Sequence, residues 1–422
     1  MPDGSDKALM MPDPDGFVNP CIMPSSMKFF VLGNNRELSV AEIEAVTGVH
    51  EFASLSGDVL LLETEQTGPQ LQDRLAGTIK VGSVVGELKE WDKEACGELI
   101  AAMIDPNLPR VEFGVSVYDA GDAHRAKELR KESERLGLEI KKHIKESGRP
   151  VRLVTSRDKT LSAVVITTNK LLERGGEFVL IVTPEKIYVG QTEAVQDFEA
   201  WGDRDFGRPA RDAQSGMLPP KLARMMVNLS ETDPIHSTLL DPFCGSGTVL
   251  MEAALMGYQK VIGSDISEKA VADTKTNLDW LAMRGTSMPP IDLSVSPAQT
   301  LSISEPVDAI VTETYLGPAL HGREHPEFLK QNLTNLKTLY RDTFGALIKL
   351  VKPGGSAVVA FPVFSGKAGS GSAGQSKPDQ EVATRTMMES LGWTIVRRLR
   401  YERAGQFVER EIFIMKKEKR TA

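Results

Sequence analysis

Short apolar runs alternate with stretches of helical period along most of the chain, and the alternation predicts an α/β protein in several units. Near the start, Phe29–Leu32 reads as a strand. Ser39, with Glu42 three residues on, suits a capping box opening a helix over Val40–Val46 that Gly48 ends. Asp58–Glu63 reads as a strand, Pro69–Leu75 as a helix and Lys80–Leu88 as a strand. This β-α-β-β-α-β-like order suits a ferredoxin-like layer.

A second α/β unit spans residues 110–195. Glu112–Tyr118 and Val151–Val154 read as strands around a long polar helix, Ala123–Ser147, in which Gly137 is the expected break. Ser162–Leu172 fits a helix less well, because several of its residues are β-branched. Phe178–Val182 and Lys186–Gly190 form strands around a Pro184 turn.

Residues 196–237 connect to the last domain, with Pro219–Pro220 opening a helix over Lys221–Leu229. From Thr238 strands and helices alternate. The strands are Thr238–Asp241, Lys260–Asp265, Ile291–Val295, Asp308–Thr312, Ser356–Phe361, Trp393–Arg397 and Phe407–Met415. Helices fall at Val249–Met256, Glu268–Met283, Glu327–Val351 and Glu381–Leu391. Such alternation predicts a doubly wound sheet. The last two strands have no helix between them, so they are expected to close the sheet as an antiparallel hairpin. Ser365–Lys377 is rich in Gly and Ser and reads as a mobile loop.

At 422 residues the chain has room for two or three domains, and its 41% apolar content supplies their cores. Its apolar runs are too short for a membrane helix. Cys21, Cys96 and Cys244 are odd in number and far apart, which argues against a disulfide framework and for a reducing, cytoplasmic setting. Residues 1–26 lack a signal peptide's basic and apolar regions and read as a disordered tail, with Met27 as an alternative start.

The formal net charge of −8 counts against nucleic acid as a partner if the charge is evenly spread. It is not. Between Arg125 and Arg174, fourteen basic residues face seven acidic ones. A local basic field of this kind can bind phosphates on an acidic protein, or it can be a solvated helix face. Lys141, Lys142, Lys145, Arg149, Arg152, Arg157 and Lys159 are the candidate RNA contacts.

The densest chemistry lies at Asp241–Thr248, Asp-Pro-Phe-Cys-Gly-Ser-Gly-Thr, between a strand and a helix. A Gly-rich turn there brings backbone close to a ligand. Asp265 ends the next strand eighteen residues after Gly247, where an acid can accept from both ribose hydroxyls. A dinucleotide fingerprint would need a third glycine where Leu250 stands. Asp241 would also repel a pyrophosphate, whereas it tolerates the cationic end of S-adenosylmethionine. Asp241, Pro242, Cys244, Gly245, Ser246, Gly247, Thr248, Asp265 and Ile266 are therefore the candidate cofactor residues.

The turn resembles motif I of amino-methyltransferases acting on nucleic acids. Taken with Phe30–Gly33, Glu37–Glu42, Gly137–Lys141, Arg152–Val154, Val195–Phe198, Gly207–Pro209 and Met217–Ala223, it makes residues 28–416 resemble the THUMP-domain tRNA guanosine-N2 methyltransferases. The nearest forms are the archaeal position-ten enzyme and its eukaryotic catalytic-subunit relative. After the tail over 1–26, the resemblance implies a ferredoxin-like domain over 27–95 and a THUMP-like RNA-binding domain over 96–195. A linker and helix over 196–237 and a seven-stranded Rossmann-like domain over 238–422 complete it. It also implies S-adenosylmethionine as cofactor and tRNA as substrate, and leaves open a small activating subunit.

Methylating an exocyclic amine requires an in-line methyl, acceptors for the amine hydrogens and a platform for the base. The family meets the last two needs with Asp/Asn-Pro-Pro-Tyr/Phe after the fourth strand. Here the strand ends in Glu313-Thr314-Tyr315-Leu316-Gly317-Pro318. Glu313 is taken as the amine acceptor and Tyr315 as the stacking platform. Ser296 and Pro297 stand where relatives often carry an acid for the adenine amine. His321, Arg323 and His325 follow the site, but too few ligands at suitable spacing accompany them for a metal, and none is assigned. Two other classes stay open: a tRNA-binding module that has lost catalysis, and an rRNA or DNA amino-methyltransferase.

Overall fold

The computed structural model describes residues 21–22, 26–211, 217–318, 325–364, 380–402 and 408–419. The chain divides into two compact units. One takes the residues up to Phe29, Leu55–Val59 and Gly82–Thr192; the other takes Phe30–Ser54, Leu60–Val81 and everything from Glu193.

In the first unit, strand Val111–Asp119 pairs in parallel with Val151–Val154 on one side and Gly175–Val182 on the other. Gly175–Val182 pairs antiparallel with Ile187–Val195. The helix Ala123–Glu146 covers this sheet through Ala126, Leu129, Leu136, Ile140 and Ile144, all buried. Gly137 does not break it. A Cβ there would lie 2.6 Å from Leu153 Cδ2, so the glycine lets the helix approach the strand closely, at a propensity cost of about 1 kcal/mol. Ser162–Leu172 is two short helices, Ala163–Thr168 and Leu171–Arg174, rather than one. Lys170, with a left-handed φ of 52°, separates them.

The second unit holds a doubly wound sheet. Numbering only this sheet, the strands are β1 (Thr238–Asp241), β2 (Lys260–Asp265), β3 (Ile291–Val295), β4 (Val307–Glu313), β5 (Val351–Phe364), β6 (Trp393–Tyr401) and β7 (Val408–Lys417). Their spatial order is β3-β2-β1-β4-β5-β7-β6, and a two-residue strand, Gln380–Glu381, pairs with the end of β5. β1 to β5 are parallel. β7 runs antiparallel to both β5 and β6, the expected closing hairpin. The order reverses between β1 and β4, and ligands of open α/β sheets bind outside the carboxyl ends of strands at such a switch point. Two cores cover the sheet. One gathers Leu239, Val311, Val358 and Ile412 against the helices Pro220–Asn228 and Thr248–Leu255. The other gathers Ile310, Val359 and Phe413 against Pro326–Leu347.

Phe30–Ser54 and Leu60–Val81 belong to this unit, and one acid shows why. The first helix begins at Arg36, with Asn35 at its N-cap, so Ser39 and Glu42 are inside it rather than capping it. Ser39 donates its hydroxyl to Gly77 O at 2.7 Å. Glu42, fully buried, accepts from the N–H groups of Ala76 and Gly77 and from Asn228 Nδ2 at 2.7 Å, the last on the helix Pro220–Asn228. A pattern suited to a capping box thus serves a tertiary tie instead.

Candidate cofactor and base site

β1 delivers the Gly-rich turn to the carboxyl edge of the sheet. Gly245 and Gly247 have left-handed φ values of 53° and 84°, and Gly247 is the N-cap of the helix Thr248–Leu255. The two glycines serve different ends. A Cβ at Gly247 would lie 2.9 Å from Thr274 Cγ2, so its absence lets the turn pack on the helix Glu268–Met283. A Cβ at Gly245 would meet nothing nearer than Phe243 O at 4.0 Å. That side of the turn stays open to an approaching ligand.

Three carboxylates stand at the carboxyl ends of neighbouring parallel strands: Asp265 on β2, Asp241 on β1 and Glu313 on β4. Asp265 accepts from Gly245 N–H at 3.1 Å and Ser267 N–H at 2.9 Å, which fixes its plane. Ile266, beside it, is 74% exposed, and an apolar side chain held out at this place suits the face of an adenine. Asp241 is buried and accepts from the Thr312 hydroxyl at 2.6 Å and Phe243 N–H at 3.2 Å. Burial pushes its carboxyl up to about 7, with Asp265 and Glu313 adding to the rise and the two hydrogen bonds opposing it. A cation seated here would restore its ionised form. This set of acceptor oxygens and one exposed apolar side chain therefore fits a ligand with a ribose, an apolar ring and a positive end, as S-adenosylmethionine has.

The remaining cofactor candidates are mostly framework in their side chains. Cys244 is buried, and burial together with Asp241 drives its thiol far above the ordinary range. Its N–H donates to Ser264 O at 2.9 Å. Pro242 is buried and Ser246 half-buried. Thr248 accepts from Arg208 Nη1 at 2.6 Å. Arg208 itself is only 2% exposed, which explains the Gly207-Arg208-Pro209 run noted in the sequence. Two further supports, Thr274 and Asn277, lie outside the sequence motifs. Thr274 donates to Gly245 O at 2.8 Å, and Asn277 Nδ2 reaches both Ser246 O and Ala210 O. Their signal was polar residues on the buried face of a helix, at positions 274 and 277, one turn apart.

On β4 the side chain of Glu313 is 15% exposed, and its Oε1 accepts from Arg410 Nε at 2.5 Å. Burial pushes its carboxyl up and Arg410 pulls it back. Thr314, where the resemblance implies a proline, uses the N–H that a proline would lack, donating to Ala360 O at 3.1 Å. Tyr315 is 54% exposed, and its carbonyl accepts from the Tyr340 hydroxyl at 2.6 Å, so the backbone is anchored while the ring faces solvent. His325 caps the helix Pro326–Leu347. His321 and Arg323 fall outside the described residues, as do most of the expected tail and the Gly/Ser-rich loop. Among the described residues, no three His, Cys, Asp or Glu side chains are grouped to hold a metal, and no helix is long and apolar enough to cross a membrane.

The basic candidates all lie in the first unit. Lys141, Lys142 and Lys145 are on the helix Ala123–Glu146, with Lys142 paired to Glu139 at 3.2 Å. Arg149 bonds Asp105 O at 2.9 Å, and Arg152 lies 3.7 Å from Glu112. Arg157 and Lys159 are exposed.

Residues 208–364 match the family model described as RMKL-like, methyltransferase domain. A DNA methylase model matches residues 127–276, a stretch that includes the Asp241–Thr248 turn. Curated relatives named tRNA (guanine(10)-N2)-dimethyltransferase include that of Methanothermobacter thermautotrophicus, 42% identical over 102 residues, covering 24% of this chain and 28% of the relative. That of Pyrococcus abyssi is 43% identical over 81 residues, or 19% of this chain and 22% of the relative. The chain thus spans under a third of the length of these relatives. Among solved structures, TrmN from Thermus thermophilus aligns over 93% of this chain and 99% of its own, with a TM-score of 0.51 and 18% identity, a likeness of fold. The sheet order and the Gly-rich turn are those of a Rossmann-like fold, and the segment from Arg208 to Phe364 is similar to the RMKL-like methyltransferase domains.

Proposed function

We propose that this chain transfers a methyl group from S-adenosylmethionine to the exocyclic N2 of a guanosine in tRNA. The observation that carries the proposal is the placement of Asp265, Asp241 and Glu313 at the ends of three adjacent strands around an open Gly-rich turn. Asp265 would hold the ribose, Ile266 would cover the adenine, and Asp241 would face the positive end of the cofactor. When bound, that cofactor supplies an electrophilic methyl. Glu313 would accept a hydrogen of the guanine amine and draw off its positive charge as the nitrogen gains the methyl. Tyr315, exposed beside it, would stack on a base taken out of its helix. The named relatives support tRNA as the substrate class.

The basic residues between Lys141 and Lys159 would read RNA shape and phosphates. Residues 96–195 would act as the RNA-binding domain and 27–95, divided between the two units, as a ferredoxin-like layer, in a cytoplasmic protein. A small activating subunit is a further variable of the assay. The test is incubation with labelled S-adenosylmethionine and unmodified tRNA, followed by nucleoside analysis. Label in N2-methylated guanosine is expected, and label confined to other nucleosides, to DNA or to protein overturns the proposal.

A further inference from the structure

Arg410 stands outside every motif noted in the sequence, yet it is 4% exposed and holds the one acid that faces the proposed methyl acceptor. The route is set by register. Glu313 is aligned with Ala360 on β5, and Ala360 with Ile412 on β7. Arg410 lies two residues from Ile412 on the same face, so it reaches over the intervening strand to Glu313. Two strand spacings are about 10 Å. A long guanidinium arm and a glutamate close that gap across the small Ala360 side chain. An aspartate, shorter by one carbon–carbon bond of about 1.5 Å, would not keep this contact in place.

We infer that Arg410 is a positioning residue, which fixes Glu313 by its Oε1 and leaves Oε2 to accept the amine hydrogen of the substrate base. The inference rests on the function proposed above. It explains how this chain tolerates Glu where its family has Asp or Asn: the longer acid is flexible by itself, and the arginine removes that freedom. Among the described residues Glu313 Oε2 takes no other hydrogen bond. The pair is also electrostatic. Arg410 is the cation facing Glu313, Asp241 on β1 is the nearby acid, and Tyr340 on the helix Pro326–Leu347 is the other titratable neighbour. Removing the guanidinium leaves a largely buried carboxylate next to an acid, and its pKa rises.

The test compares wild type, Arg410→Lys and Arg410→Met for turnover on tRNA across pH, with S-adenosylhomocysteine affinity by calorimetry as the measure of an intact fold. For Arg410→Met, kcat is expected to fall roughly tenfold to a hundredfold. The acid limb of its pH profile is expected to move to higher pH, with S-adenosylhomocysteine affinity within about twofold of wild type. Arg410→Lys keeps the charge without the planar fork and should return the acid limb toward wild type while recovering only part of kcat. An Arg410→Met enzyme with wild-type kcat and an unmoved profile overturns the positioning role. Equal losses in both variants with unmoved profiles do the same. A wild type that binds the cofactor but never methylates tRNA overturns the proposed function, and the role of Arg410 with it.

Discussion

Under the proposed function, the buried Asp241 would make cofactor affinity a function of pH, and the size of the effect follows from its environment. Its carboxyl is raised from the usual 3.8 to about 7, mainly by burial. A bound cation favours the ionised form, so binding must draw off the proton wherever Asp241 still carries one. At pH 8 about nine-tenths of the molecules hold Asp241 ionised, and at pH 6 about one-tenth, so affinity for S-adenosylmethionine should fall roughly tenfold over that interval. Calorimetry at pH 6, 7 and 8 and constant ionic strength measures the slope. Repeating it in buffers of different ionisation enthalpy counts the proton, and nearly one should leave per cofactor bound at pH 6. Asp241→Asn keeps an oxygen for the Thr312 hydroxyl but cannot ionise. Its affinity should be flat with pH and below that of wild type at pH 8. Methylthioadenosine, which lacks both the sulfonium and the ammonium, should bind wild type with little pH dependence. The reasoning is refuted if S-adenosylmethionine affinity is flat in wild type, or if Asp241→Asn or methylthioadenosine shows the same slope.

Glu42 offers a stability counterpart. Its pKa is raised from 4.5 to about 7, burial outweighing the donors around it, so the folded state retains a proton that the unfolded chain has already released. Stability contributed by this group is full below about pH 4.5 and lost as pH rises to about 7, a change on the order of 3 kcal/mol. Urea unfolding of wild type and Glu42→Gln at pH 5 and 7.5 should show wild type losing ground to the variant at the higher pH, and a pH-independent difference would contradict this. Gly247→Ala combines a left-handed φ with a contact on Thr274, and should lower the thermal midpoint by an amount equivalent to about 1–3 kcal/mol. Gly245→Ala, strained by φ but facing the open side of the turn, should cost less stability and weaken cofactor binding more, as calorimetry with S-adenosylhomocysteine would read. Tyr315→Phe should keep turnover near wild type and Tyr315→Ala should lose about 1–3 kcal/mol of base stacking, read as a rise in KM or a fall in kcat on tRNA. Equal behaviour of the two variants would remove the ring from the site.

The parts of the fold legible in the sequence were those governed by local rules. Strand and helix alternation after Thr238 follows directly from periodicity, and Glu268–Met283 and Ile291–Val295 have the boundaries the pattern predicts. The Asp241–Thr248 turn was legible because glycines at left-handed positions leave a residue-level mark. Tertiary substitutions for local signals were not legible. Ser39 and Glu42 have the spacing of a capping box, but their partners Gly77 and Asn228 are distant in sequence. Gly137 looks like a helix break because the strand pressing on it, with Leu153, follows sixteen residues later. Arg410 was invisible for the same reason: its meaning depends on the register of β4, β5 and β7.

The unit that carries the Gly-rich turn is assembled from three separated pieces of chain, with residues 30–54 and 60–81 completing what begins again at 193. A fragment starting at Glu193 would therefore leave the amide of Asn228 and the guanidinium of Arg224 without Glu42 and the Asp73 carbonyl they now meet. Simple truncation therefore cannot release this unit intact. A minimal version would have to splice residues 30–54 and 60–81 to it through a new linker.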